Sequence, residues 1–175
     1  VDIRGERIGR RTPVEVPLVG GVAETIRALL PLLRTHTDRK HLDDAVKHYT
    51  KTRRTLDDLA TPSKRTIHPQ YLTRLIDEAA SEDAVFLPDV GSPVIWAARY
   101  LTMNGRRRII GSFTHGSMAN ALSQAVGAQS AAPGRQIIAL AGDGGLSMLM
   151  GELLTLVQHD LPVKVVVFNN SSYNF

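Results

Sequence analysis

Five consecutive apolar residues, Ile137-Ile138-Ala139-Leu140-Ala141, run directly into Gly142-Asp143-Gly144-Gly145. A strand that alternates polar with apolar residues can leave one face in water. A run without alternation has to be covered on both faces, the condition of a parallel sheet held between layers of helices. Ala84 to Leu87 and the β-branched run Val163 to Phe168 have the same character. Helical periodicity fills the intervals: Pro69 to Ala80, about Val94 to Leu101, about Ser117 to Ser130, and about Leu146 to Gln158. A short strand at Arg108 to Ile110 completes a βαβα alternation. The expected fold class is therefore α/β, a parallel sheet with helices on both faces.

The first third reads differently. A short strand is expected at Val14 to Leu18, then Gly20-Gly21, then an amphipathic helix from about Ala23 to Leu33 whose last turn Pro31 should distort. Asp38 can cap a second helix, about Arg39 to Leu59, with the sparse apolar positions Leu42, Val46, Tyr49 and Leu56. With Thr61-Pro62-Ser63-Lys64-Arg65 it has the character of a connector, which places a domain boundary within residues 36–66. Nine Lys or Arg against five Asp or Glu fall between Arg34 and Arg65, so this stretch carries the whole net charge of +4. Acids interleave with the bases and only Tyr49 is aromatic, the pattern of a solvated helix face; no nucleic-acid partner is expected.

The 175 residues are 43% hydrophobic and 22% charged, which excludes disordered and fibrous classes. There is no cysteine, so disulfide scaffolds, thiolate metal sites and cysteine nucleophiles are excluded together. No apolar run approaches the roughly 20 residues of a membrane span, and Val1 to Arg7 lacks the apolar segment of a signal peptide, so a cytoplasmic location is expected. The chain starts at Val1, and only seven residues follow the Val163–Phe168 run, which reads as a piece of a longer polypeptide.

In open parallel sheets the ligand site lies beyond the carboxyl ends of the strands. Those ends are Asp89-Val90-Gly91-Ser92, Gly111 to Met118, Gly142-Asp143-Gly144-Gly145 and Asn169-Asn170-Ser171-Ser172. Glycines and small polar residues let a ligand approach the backbone closely, and amides opening a helix suit a phosphate-like anion. A carboxylate, Asp143, inside an anion site makes chemical sense when a cation lies between the two. Oxygen donors without thiols point to magnesium or calcium, and Asn169-Asn170 can add an amide oxygen. Taken alone, the glycine turn also suits a tight turn with a helix-capping Asp, Ser92 a simple cap, and Met118 core packing.

Gly142-Asp143-Gly144 followed by Asn169-Asn170 resembles the signature of thiamine diphosphate enzymes. The resemblance extends to Ile67-His68-Pro69-Gln70-Tyr71-Leu72, Asp89-Val90-Gly91, Trp96 to Leu101, Gly111-Ser112-Phe113, His115 to Asn120 and Gly144 to Gly151. These segments are similar to bacterial pyruvate oxidases, in particular the flavin-containing pyruvate:quinone type. It implies a truncated thiamine diphosphate-binding fold: residues 1–35 the tail of a central FAD-type domain, 36–66 a helical connector, and 67–175 a diphosphate-binding domain incomplete at its C-terminus.

The implied cofactors are thiamine diphosphate and Mg2+, with FAD in the full-length enzyme. Metal ligands would be Asp143, Asn170 and the Ser172 backbone carbonyl. Gly142, Gly144, Gly145, Gly91 and Ser92 would hold the diphosphate. Met118, in the segment with Ser117, would prop the cofactor in its bent conformation, and Asp2 would meet the adenosine part of FAD. No catalytic residue is implied within this stretch, because the activating glutamate lies on an aminopyrimidine-binding domain, so the isolated chain is expected to be inactive.

The implied activity is oxidative decarboxylation of pyruvate or a related 2-oxo acid in a homo-oligomer. Membrane association would come only through a C-terminal segment not represented here, making the full-length enzyme peripheral at the inner membrane. Two alternatives stay open: an acetolactate-synthase-like carboligase, which shares the signature, and a non-catalytic assembly fragment.

Overall fold

The computed structural model describes residues 1–172, and these divide into two compact units, residues 1–48 and 49–172. Helix α1 (Val22–Leu29) gives way to a 3-10 turn at Leu30–Leu32, as the proline at 31 requires. Helix α2 (Lys40–Leu59) starts where Asp38 Oδ1 accepts the Lys40 N–H at 2.9 Å, and the division between the units falls within it. The expected strand at Val14–Leu18 does not form. Only an isolated parallel bridge joins Asp2 to Val19, because this apolar stretch has no neighbouring strand to pair with.

The second unit is the sheet. Helix α3 (Pro69–Ala79) leads to β1 (Val85–Pro88), α4 (Ser92–Tyr100), β2 (Arg108–Ile109) and α5 (Asn120–Ala131). Then follow β3 (Ile137–Gly142), α6 (Asp143–Met148), α7 (Glu152–Gln158) and β4 (Lys164–Phe168). The four strands are parallel in the order β2-β1-β3-β4. Register pairs Val85 with Ile137 and Ala139 with Val165.

Side chains alternate across β3 as the unbroken apolar run requires. Ile137, Ala139 and Ala141 join Val85 and Leu87 beneath Ala121 and Ala125 of α5. Ile138 and Leu140 join Ala84 and Phe86 against Ala97 of α4. Both faces are therefore dry. From β1 the chain moves to β2 on one side and returns to β3 on the other, so a crevice opens between the carboxyl ends of β1 and β3.

Two expected helices are shorter than their periodicity. The segment from Ser117 begins its helix only at Asn120, because Ala119 sits in the left-handed region at φ 62°. The helix expected from Leu146 to Gln158 is two helices, broken where Leu149 adopts φ −130° and ψ 34°. The apolar residues Met148-Leu149-Met150 preserve a helical pattern through the break, so periodicity alone cannot reveal it.

One buried cation organises the amino-terminal edge of the sheet. Arg107 donates to Asp77 Oδ1 at 2.7 Å, to the carbonyls of Asp77 and Ala80 at the end of α3, and to Ser81 and Thr102. It satisfies carbonyls that a helix end leaves without partners, and it sets the start of β2 against α3.

Candidate functional site

The crevice between β1 and β3 is a cleft of about 120 Å³, lined by Val90, Gly91, Ser92, Pro93, Met118, Gly142, Asp143, Gly144, Gly145, Phe168, Asn170 and Ser172. Four loops distant in sequence meet there. Of the site residues expected from the sequence, Gly91, Ser92, Met118, Gly142, Asp143, Gly144, Gly145, Asn170 and Ser172 share this one cleft.

Each element is shaped locally for its position. Gly91 has φ 125° and ψ −153°, a backbone conformation that L side chains rarely adopt, and it turns the chain from β1 directly into α4. Ser92 is the first residue of α4 rather than its side-chain cap: no side-chain cap bond forms there. The open N–H groups at the starts of α4 and α6 belong to residues that border the cleft, which suits oxygen atoms of an anion.

Asp143 opens α6, and among the described residues no hydrogen bond is made to its carboxylate. Asn170 is held differently: its Oδ1 accepts the Ser172 N–H at 3.0 Å. That bond orients the amide and leaves a second lone pair for another partner. Asn169 makes the same type of turn onto the Ser171 N–H at 2.9 Å, with Ser171 at φ 53°.

No group of three or more His, Cys, Asp or Glu side chains that could hold a metal exists among the described residues. A cation here would rest on one carboxylate, one amide oxygen and one carbonyl. Such a set leaves coordination positions for phosphate oxygens and water, as magnesium prefers. The donors present therefore fit magnesium together with a diphosphate.

Two expected residues stand elsewhere. Ser117 does not line the cleft: its N–H donates to Ser112 Oγ at 3.0 Å and its carbonyl accepts from Asn120 Nδ2 at 2.8 Å. Asp2 belongs to the first unit, where its Oδ1 accepts the Arg4 N–H at 2.8 Å.

The residue that sequence reasoning passed over is Asp89. It is 1% exposed, and its Oδ1 accepts the Val90 N–H at 3.0 Å, the Asn120 N–H at 3.1 Å and Asn120 Nδ2 at 3.0 Å. Burial raises its carboxyl above the usual carboxylate value, against the lowering effect of hydrogen bonds from Val90, Asn120 and Ala119. The available signal was a carboxylate directly ending a four-residue buried strand, a position where an acid needs partners.

Comparison with known proteins agrees with this geometry. Residues 89–175 match the family described as thiamine pyrophosphate enzyme, C-terminal TPP binding domain. Over 95% of its length the chain is 35% identical to YdaP of Bacillus subtilis (strain 168), whose name provisionally describes it as thiamine pyrophosphate-containing. It is 31% identical over 98% of its length to the acetolactate synthase large subunit of Lactococcus lactis subsp. lactis (strain IL1403). It is 29% identical over its full length to the pyruvate oxidase of Lactiplantibacillus plantarum. The chain spans 29% of the length of each of these relatives. The match covers just under half of the chain, and the four-stranded parallel α/β architecture is consistent with such a cofactor-binding domain.

Proposed function

We propose, from the match of residues 89–175 to the thiamine pyrophosphate enzyme family, that this chain supplies the magnesium–diphosphate half of a thiamine diphosphate enzyme acting on pyruvate or a related 2-oxo acid. The observation that carries the reading is the convergence of Gly91, Met118, Gly142 to Gly145 and Asn170 on one cleft at the carboxyl edge of the sheet. The Asp143 carboxylate, the Asn170 amide oxygen and the Ser172 carbonyl would hold the cation. The glycine turn and the amides opening α4 and α6 would hold the diphosphate oxygens. Met118, 40% exposed on the cleft wall, would support the cofactor's bent shape.

When bound, thiamine diphosphate supplies the carbon that adds to the 2-oxo acid and accepts the electron pair left when carbon dioxide departs. This chain's residues orient and charge-balance that group; none of the described cleft residues is assigned a proton-transfer role. The activating acid would come from another domain, in a homo-oligomer.

Two outcomes of that chemistry compete. The segments Trp96 to Tyr100 and Ser117 to Asn120 favour the oxidase, in which FAD takes the electrons. The match to an acetolactate synthase subunit at 31% identity, against 29% for the pyruvate oxidase, favours carbon–carbon bond formation at least as strongly. Product analysis of the whole enzyme with pyruvate separates them. Acetate formed with reduction of bound flavin supports the oxidase reading, whereas acetolactate without net redox change supports the carboligase. Calorimetric titration of this chain with thiamine diphosphate and magnesium tests the shared claim, and no binding of either at millimolar concentration would overturn it.

A further inference from the structure

Resting on that reading of the cleft, the geometry points to Asp89 as a positioning residue that holds two of its walls in register. One wall is the turn carrying Met118. Its next residue, Ala119, has φ 62°, a left-handed conformation that is unfavourable for a non-glycine residue and persists only where the surroundings impose it. The imposing group is Asp89. Its Oδ1 takes both the backbone N–H and the side-chain Nδ2 of Asn120, and Nδ2 returns to the Ser117 carbonyl at 2.8 Å. The turn 117–120 is therefore closed at both ends around Met118.

The other wall is the glycine turn. A Cβ built on Gly145 would overlap Asp89 Oδ2 and fall 2.8 Å from its Cγ and 3.4 Å from the Ala119 nitrogen. Gly145 is thus small because the Asp89 carboxylate and the Ala119 backbone occupy the space its side chain would need. A side chain held by three hydrogen bonds at Oδ1 cannot swing away. One buried carboxylate at the end of β1 therefore touches both the Met118 turn and the start of α6, while its hydrogen bonds among the described residues go to none of the three proposed metal ligands.

Groups that orient a bound cation's ligands usually matter by about 10–100-fold in affinity, and a residue that positions two walls of the same cleft is expected to act on a comparable scale. Asp89→Ala, which removes every one of these bonds, should weaken magnesium–thiamine diphosphate binding to the chain by about that factor. Asp89→Asn retains an acceptor for the Val90 and Asn120 donors and should recover most of the loss. Recovery by the isosteric amide separates positioning from bulk, because a role in folding alone would lower thermal stability without moving affinity in the folded protein. Wild-type affinity in a folded Asp89→Ala variant would overturn the proposal.

Amide hydrogen exchange without cofactor gives a second reading, independent of whether the cleft takes thiamine diphosphate. Asp89→Ala should speed exchange at Ala119–Asn120 and also at Gly144–Gly145, while Ile138 to Leu140 stay protected. Acceleration confined to Ala119–Asn120 would reduce Asp89 to a cap on α5 and refute the coupling of the walls. Failure of the wild-type chain to bind cofactor, with both walls loosened in the variant, would sink the proposed function and leave the positioning role standing.

Discussion

The two units use similar sequence patterns to different ends. In residues 1–48, α1 places Val22, Ile26 and Leu29 on a helix, yet each remains about half exposed or more, and no residue of this unit is buried. In residues 49–172, α5 is less amphipathic, but Ala121 and Ala125 are buried against β1 and β3, and Leu122 is buried as well. The difference teaches that periodicity specifies a helix, whereas burial requires a sheet on which to set it. The cleft inherits its order from the second case: two of its loops leave β1 and β3, which are covered on both faces, whereas β4, expected from its unbroken apolar run to be covered likewise, is an edge strand with Lys164 and Val167 exposed.

The largest effect should come from breaking that cover. Phe86, fully buried beneath the Arg107 guanidinium at 5.7 Å, should cost about 3–5 kcal/mol as Phe86→Ala, measured by denaturant unfolding. Leu30→Ala in the first unit, where Leu30 is 60% exposed, should change stability by no more than about 0.5 kcal/mol. Equal effects would erase the contrast between the units. Nearly as large is the buried pair: Arg107→Met leaves Asp77 without its cation and the end of α3 without its donors, and should cost about 3 kcal/mol or more.

This contrast also explains what could be read from the sequence. The strands β3 and β4 were legible because Ile137 to Ala141 and Val163 to Phe168 have no polar face, and so was the sharing of one cleft by Asp143 and Asn170, because both follow such strands. The left-handed Ala119 was not legible, since its conformation is imposed by Asp89, thirty residues away in sequence. Nor was the break at Leu149, where apolar residues continue the helical pattern. Val14 to Leu18 has strand-like residues but no partner strand, a tertiary fact that local pattern does not contain.

A smaller effect is expected at Gly91→Ala. Its φ of 125° should cost about 1–3 kcal/mol in thermal unfolding, and the distorted turn should weaken anion binding in the cleft. Smaller again is the pH dependence of Asp89. Its folded-state pKa is raised, so the protonated form is favoured by folding: the associated stability is fully present below the unfolded value and lost as pH rises through the folded one. Comparing wild type with Asp89→Asn across acid pH should therefore show stability falling more, or rising less, with pH in the wild type. A difference of the opposite sign would contradict the desolvated environment assigned to Asp89.

The central claim is that Asp143 and Asn170, brought to one cleft by β3 and β4, hold a cation that in turn holds a diphosphate. Isothermal titration of thiamine diphosphate into the 175-residue chain, with and without magnesium, for wild type and Asp143→Asn, tests it most directly. Asp143 is half-buried at the start of α6 without hydrogen-bonded partners among the described residues, so its isosteric substitution should leave stability within about 0.5 kcal/mol. The account predicts one site per chain in the wild type, dependent on magnesium, and its loss in the variant. Binding that persists unchanged in Asp143→Asn, or that ignores magnesium in the wild type, would contradict it.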